Sequence, residues 1–177
     1  LKSGTSALIQ ALDKVKSGNS NYSIVSVADK RKARAASPQE LDFGDASVAL
    51  SVDSDNLIAK YINSSSLSID FIDHFRQPGE EFDYNWEERW IRDEGFLKIV
   101  PKAINDLFDK TNIDGSKIDH FIIPSVFPRV DQMIAKKCGI DPDKVVNNMA
   151  LTVGNSGSAH ALLMLASVLE TAKPGEK

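Results

Sequence analysis

The chain has 177 residues, enough for a domain with a sizeable core, and is 42% hydrophobic and 26% charged, as an ordinary globular protein is. Its net charge of −4 argues against nucleic acid as the main partner, because phosphate binding calls for a basic face. No apolar run approaches the length of a membrane span.

In chain order, Gly4 to Ser17 reads as a helix: Ala7, Leu8, Ala11, Leu12 and Val15 recur at helical spacing, and Gly18 sits where a helix stops. Tyr22 to Ala28 is rich in β-branched residues and predicts a strand. Lys30 to Glu40 is basic, then polar, and predicts a surface loop. Ala46 to Val52 alternates as a second strand, and Leu57 to Phe75 predicts one or two extended segments. The polar stretch Gln77 to Asn85 is the best boundary between two halves, 1–76 and 86–177. A long helical pattern follows, with Trp86 and Trp90 packing inward, although Gly95 and Pro101 should break or bend it. Asp119 to Pro124 predicts a short buried strand, Val130 to Cys138 a helix ended by Gly139, and Val145–Val146 a short extended piece. Asn155 to Thr171 predicts an apolar helix. Strands alternating with helices give an α/β class.

Each half contains a small-residue turn leading into an apolar helix: Ser3-Gly4-Thr5-Ser6-Ala7-Leu8 and Gly154-Asn155-Ser156-Gly157-Ser158-Ala159. Two such turns would bring two helix N-termini, each with free N–H groups, to one site suited to a thioester oxygen or a thiolate.

These runs resemble the thiolase superfamily, and most nearly its 3-oxoacyl-ACP synthase III and hydroxymethylglutaryl-CoA synthase-like branch. The opening Lys2-Ser3-Gly4-Thr5-Ser6-Ala7-Leu8 resembles the turn after the family's active-site cysteine. Asp42-Phe43-Gly44-Asp45-Ala46, Trp86 to Gly95 and Val153 to His160 fit the same branch in the same order. The resemblance implies a layered α-β-α-β-α fold, here incomplete. Residues 1–76 would be the remainder of the amino-terminal half, 77–85 a connector, and 86–177 the carboxy-terminal half without its last strands. The chain starts on Leu1 rather than methionine, and its alignment suggests truncation at both ends.

The chemistry implied by the resemblance is acyl transfer: a cysteine attacks a thioester, and the acyl-enzyme then undergoes Claisen condensation or thiolysis. The nucleophile position falls on Leu1, which has no nucleophile, so either the cysteine has been lost or it lies outside this chain. Asn155 fits the asparagine of the family's Gly-Asn turn, with Gly154, Ser156 and Gly157 as substrate-binding neighbours; Asn also serves as a helix N-cap. The family's basic histidine position falls on Ser125, which cannot act as a base near neutral pH unless activated. His160 either replaces that histidine or is a structural one, while His74 and His120 read as structural.

Cys138 reads as a small buried core residue, and its being the only cysteine fits a reducing cytoplasm. The cluster Lys30-Arg31-Lys32-Arg34 reads as a solvated loop or as a contact for coenzyme A phosphates. No cofactor or metal is expected, coenzyme A or acyl carrier protein thioester being the substrate. A homodimer or a complementing chain is expected, and the tryptophan-rich run resembles members that work beside a small zinc-ribbon/OB-fold protein. Two readings stand: an acyl-CoA or acyl-ACP acyltransferase seen in part, and a non-catalytic thiolase-like subunit that packs against an active partner.

Overall fold

Helix α1 (Ser3–Lys16) opens the computed structural model, which describes residues 3–125 and 127–177. Gly18, at φ 75°, takes the left-handed conformation that ends it. Strands β1 (Tyr22–Lys30) and β2 (Asp45–Asp53) pair antiparallel, Tyr22 opposite Asp53 and Lys30 opposite Asp45. Period-two alternation sends Val25, Val27, Val48, Leu50 and Val52 to one face of this ribbon. There they meet Ala7, Leu8, Ala11 and Leu12 of α1. Tyr22 and Ile24 point to the other face and are exposed.

The loop expected between the strands contains a short helix, α2 (Pro38–Asp42), started by Pro38, whose missing N–H costs nothing in a first turn. The extended stretch expected over Leu57 to Phe75 yields one short strand, β3 (His74–Phe75), paired with β4 (Tyr84–Asn85) inside the expected connector. Leu57, Ile58, Ile62 and Ile69 are exposed. Among the described residues no strand lies beside them, and an extended segment without a hydrogen-bonding neighbour does not become a sheet strand.

The long helical pattern resolves into three pieces: α3 (Glu88–Trp90), a π-helical turn over Ile91–Phe96, and α4 (Leu97–Thr111). Glu87 caps α3 by accepting from the N–H groups of Arg89 and Trp90. Against expectation the tryptophans do not pack inward. Trp86 is 48% and Trp90 45% exposed; Trp86 sits edge-on to Tyr84 and Trp90 stacks on Phe71. Pro101 is accommodated inside α4. It has no N–H for the carbonyl of Leu97, four residues back, and Lys137 Nζ donates to that oxygen instead, at 2.8 Å.

Helix α5 (Val130–Lys137) follows, and Gly139, at φ 69°, lies just beyond it as expected. The strand expected at Asp119 to Pro124 is reduced to a parallel bridge between Phe121 and Val145. Helix α6 (His160–Leu169) starts later than expected, preceded by a 3₁₀ turn over Gly157–Ala159.

Two cores result. One gathers Ile123, Val130, Ile134, Ala135, Cys138 and Ile140 beneath Phe96, Val100 and Phe108. The other joins α1 and the ribbon to Leu162 and Leu165 of α6, so the last helix of the chain closes the core of the first strands.

Candidate functional site

The two small-residue bends lie side by side. Gly4, buried in the first turn of α1, approaches the second bend so closely that a Cβ on it would lie 2.5 Å from the carbonyl oxygen of Ser158. A Cβ on Gly157 would collide with the carboxylate of Asp29, and its φ of 56° is one that L side chains rarely adopt. Glycine is therefore required twice where the bends meet the end of β1. Leu1, the expected nucleophile position, lies outside the described residues.

Asn155 is fixed by its backbone. Its N–H donates to the Asp42 carbonyl at 2.6 Å, its carbonyl accepts from Gly44 N–H at 3.1 Å, and it forms a parallel bridge with Phe43. Its side-chain Oδ1 accepts from Gly157 N–H at 3.0 Å. The Asn155 amide NH₂ has no partner among the described residues.

The free N–H groups expected at the second bend are not there. Ser156 N–H donates to His160 Nδ1, Gly157 N–H to Asn155 Oδ1, Ser158 N–H to Asp29 Oδ2 and Ala159 N–H to the Ser156 carbonyl. The Ser158 hydroxyl donates to the same Asp29 oxygen at 2.9 Å. A carboxylate from β1 thus occupies the positive end of α6, a favourable place for negative charge. The N–H groups of Ser156 to Ala159 are therefore all engaged within the protein.

His160 is buried, with both ring nitrogens engaged. Nδ1 accepts from Ser156 N–H at 3.2 Å and lies 3.1 Å from Ser156 Oγ, while Nε2 lies 2.7 Å from the Asn148 carbonyl. A nitrogen that accepts from a backbone N–H carries no proton, so the ring is the Nε2–H tautomer and donates to Asn148. Ser125 is also buried. Its hydroxyl oxygen accepts from Phe127 N–H at 3.2 Å, and its carbonyl accepts from Asn148 Nδ2 at 2.7 Å. The expected residues Ser125, Ser156 and His160 thus form one hydrogen-bonded chain, with Gly154 and Asn155 next to Ser156.

Asn148 and Asp29 complete this arrangement, and the sequence reading passed over both. The signals available were a carboxylate near the end of an apolar strand and an Asn-Asn pair ahead of the glycine turn.

His74 and His120 have carboxylate partners: His74 Nδ1 lies 2.7 Å from Asp73 and His120 Nε2 lies 2.9 Å from Glu176. The imidazole of His120 holds the Glu176 carboxyl below its ordinary value. Cys138 packs in the second-half core, and burial pushes its thiol upward.

The basic cluster does not behave as a single solvated loop. The Arg31 side chain is 6% exposed, pairs with Asp83 at 3.3 Å and lies 3.5 Å above the ring of Phe43. Lys32 pairs with Glu81 at 2.7 Å. Arg34 has no carboxylate partner among the described residues and faces the ring of Phe82. Between this loop and the β3–β4 hairpin lies a cleft of about 500 Å³ whose lining includes Lys32, Arg34, Ser37, Phe43, Phe82 and Tyr84. The Ser37 hydroxyl there is buried and has no partner among the described residues. Phe43 connects the cleft to the Asn155 turn. Among the described residues no cluster of His, Cys, Asp or Glu is arranged to hold a metal ion, and no helix is long and apolar enough to cross a membrane.

Residues 108–177 match the family model described as 3-oxoacyl-[acyl-carrier-protein (ACP)] synthase III C terminal. Over 177 aligned residues the chain is 27% identical to the hydroxymethylglutaryl-CoA synthase of Caldivirga maquilingensis, covering 99% of this chain and 50% of that protein. The corresponding enzyme of Methanosphaera stadtmanae is 26% identical over 99% of this chain and 51% of its own length. The fold matches a crystal structure of HMG-CoA synthase complexed with CoA, with a TM-score of 0.81 at 19% identity over 97% of this chain and 47% of that one. It also matches 3-oxoacyl-[acyl-carrier-protein] synthase III from Aquifex aeolicus, with a TM-score of 0.77 at 17% identity over 98% of this chain and 57% of that one. The chain spans about half the length of the curated relatives it matches.

Proposed function

We propose that the chain belongs to the 3-oxoacyl-ACP synthase III and hydroxymethylglutaryl-CoA synthase-like branch of the thiolase superfamily, and that it forms one side of an acyl-thioester pocket in a condensing acyltransferase. The observation that carries this reading is the contact of the two bends, Gly4 against Ser158. Asn155 supplies the amide donor for the thioester oxygen, since its NH₂ is the group left over once Oδ1 has been used within the turn. Gly154, Ser156 and Gly157 shape the wall behind it. Ser125 contributes a hydroxyl, and His160 acts by holding Ser156, its two nitrogens already being engaged.

In the full reaction a cysteine, supplied from outside this chain because Leu1 has no nucleophile, attacks the thioester carbonyl and the carrier thiolate departs. An enolate or coenzyme A then takes the acyl group and releases the cysteine thiolate. Coenzyme A or acyl carrier protein enters as the substrate's carrier, and no resident cofactor is required. Arg34, which has no carboxylate partner among the described residues, faces the carrier's phosphate across the cleft.

Ser125 at the position of the family's base favours a second reading, a thiolase-like subunit that binds beside an active partner without forming an acyl-enzyme.

Calorimetric titration with acetyl-CoA tests the pocket, and intact mass separates the two readings. Binding should weaken about tenfold in Asn155→Ala, the loss of roughly one hydrogen bond. Absence of binding, or binding indifferent to Asn155, would remove the proposal. A longer form of the protein that supplies such a cysteine should gain the mass of an acetyl group; a form that binds but gains no mass supports the second reading.

A further inference from the structure

The Asn147–Asn148 pair lies outside the turn that identifies the family, yet it touches two of the candidate site residues. Asn147 Oδ1 accepts from Met149 N–H at 2.8 Å, which orients the peptide between Asn148 and Met149. The carbonyl of that peptide is the oxygen that accepts from His160 Nε2 at 2.7 Å. The Asn148 side chain works in the opposite direction. Its Nδ2 reaches 23 residues back to the Ser125 carbonyl, and its Oδ1 accepts from Ala150 N–H at 3.1 Å. Met149 itself is left-handed, at φ 58°, and its carbonyl collects the N–H groups of Thr152, Val153 and Gly154. A non-glycine residue is held in that conformation only where its surroundings fix it.

We propose that the Asn147–Asn148 pair is the positioning device of the thioester site, selecting the His160 tautomer with a carbonyl and holding the Ser125 backbone with an amide. This deepens the pocket reading and rests on it for the pair's role toward a ligand. The consequence runs through hydrogen bonds already described. With Nε2–H donated to Asn148, Nδ1 must accept, and it accepts from Ser156. That bond keeps the turn in the shape in which Asn155 Oδ1 accepts from Gly157 N–H. If the 148–149 peptide turned over, an N–H would face Nε2, the tautomer would reverse, and Nδ1–H would oppose Ser156 N–H donor to donor. Neither asparagine needs to touch substrate, so both are positioning residues.

The test is the tautomer of His160, read by long-range ¹H–¹⁵N NMR of the imidazole rings near neutral pH without ligand. The chain has three histidines, so His74→Gln and His120→Gln assign the remaining signals by elimination. His160 should be Nε2–H alone in the wild type. Asn147→Ala removes the acceptor that orients the peptide and should give a mixture of tautomers, and Asn147→Ala with Asn148→Ala a larger one. Asn147→Asp keeps the acceptor and should restore the single tautomer. If the double variant does not fold, Asn147→Ala and Asn147→Asp carry the comparison. A wild-type ring in the Nδ1–H form, or an Asn147→Ala ring that keeps the pure Nε2–H signature, overturns the proposal. No acyl-CoA is in the sample, so failure here is distinct from failure of the pocket to bind.

Discussion

The guanidinium of Arg31 lies 3.5 Å above the ring of Phe43, the residue whose backbone bridges Asn155. The same guanidinium pairs with Asp83 beside the β3–β4 hairpin, and Asp83 also accepts from Arg76 Nε at 2.8 Å. The end of β1, the hairpin and the Asn155 turn are therefore fastened through one buried cation. Desolvation of the kind that makes a cation over a ring worth about 2 kcal/mol also makes that cation costly to leave unpaired.

Asp83→Asn should accordingly destabilise the fold by roughly 3 kcal/mol, measured by denaturant unfolding, because it leaves Arg31 buried without its carboxylate. Burial pushes the Asp83 carboxyl up, but hydrogen bonds and charge from Arg76 and Arg31 outweigh it, so the group titrates below its ordinary value. A depressed folded value means that this stabilisation is complete above the unfolded carboxylate value of about 4 and is lost as pH falls through the folded value. The difference in stability between wild type and Asp83→Asn should therefore shrink below about pH 4. A constant difference down to the acid limit would contradict the pairing.

Gly4→Val places atoms where the Ser158 carbonyl already lies. Overpacking between two backbones should cost about 2 kcal/mol, and acetyl-CoA binding should weaken with it. Gly18→Ala is strained by its φ but meets nothing within 4 Å, so it should lower stability without a separate loss of binding. Parallel unfolding and binding measurements on the two variants make the comparison.

Lys137 and Pro101 should be energetically coupled. In Pro101→Ala the new N–H can reach the Leu97 carbonyl, which Lys137 serves in the wild type. Lys137→Met should then cost about 1 kcal/mol in the wild type and close to nothing in the Pro101→Ala background. A double-mutant cycle without coupling would show that the lysine contact is incidental.

Cys138 should resist alkylation in the native state. It is buried, and desolvation raises its thiol, with Lys137 opposing only in part. Reaction with iodoacetamide at neutral pH should be slow until denaturant unfolds the second-half core, and fast labelling of the folded protein would contradict that packing.

The sequence made legible those elements whose signals are local. Helices α1 and α5 show apolar spacing and a glycine stop, and β1 and β2 show alternation, so both pairs fall within a few residues of the expected bounds. The start of α6 was not legible because Ser158 takes its partner, Asp29, from 129 residues earlier in the chain. The tryptophans misled because their apolar rings predict burial, while on α3 and just before it they stack against Phe71 and Tyr84 at the surface. Of the site, the Gly-Asn turn and Ser125 could be located by resemblance. The engagement of every N–H from Asn155 to Ala159 could not, since their partners are Asp29 on β1, the Asp42 carbonyl at the end of α2 and the His160 ring, as well as atoms of the turn itself.

An amide-resolved NMR titration of the protein with acetyl-CoA tests the pocket at the two bends. Saturable shifts should concentrate at Gly4, Thr5, Asn155 and Gly157, including the Asn155 side-chain amide, and should leave Ala135 in the second-half core unmoved. Shifts confined to other parts of the molecule, or none at all, would contradict a shared thioester pocket at the junction of the two bends.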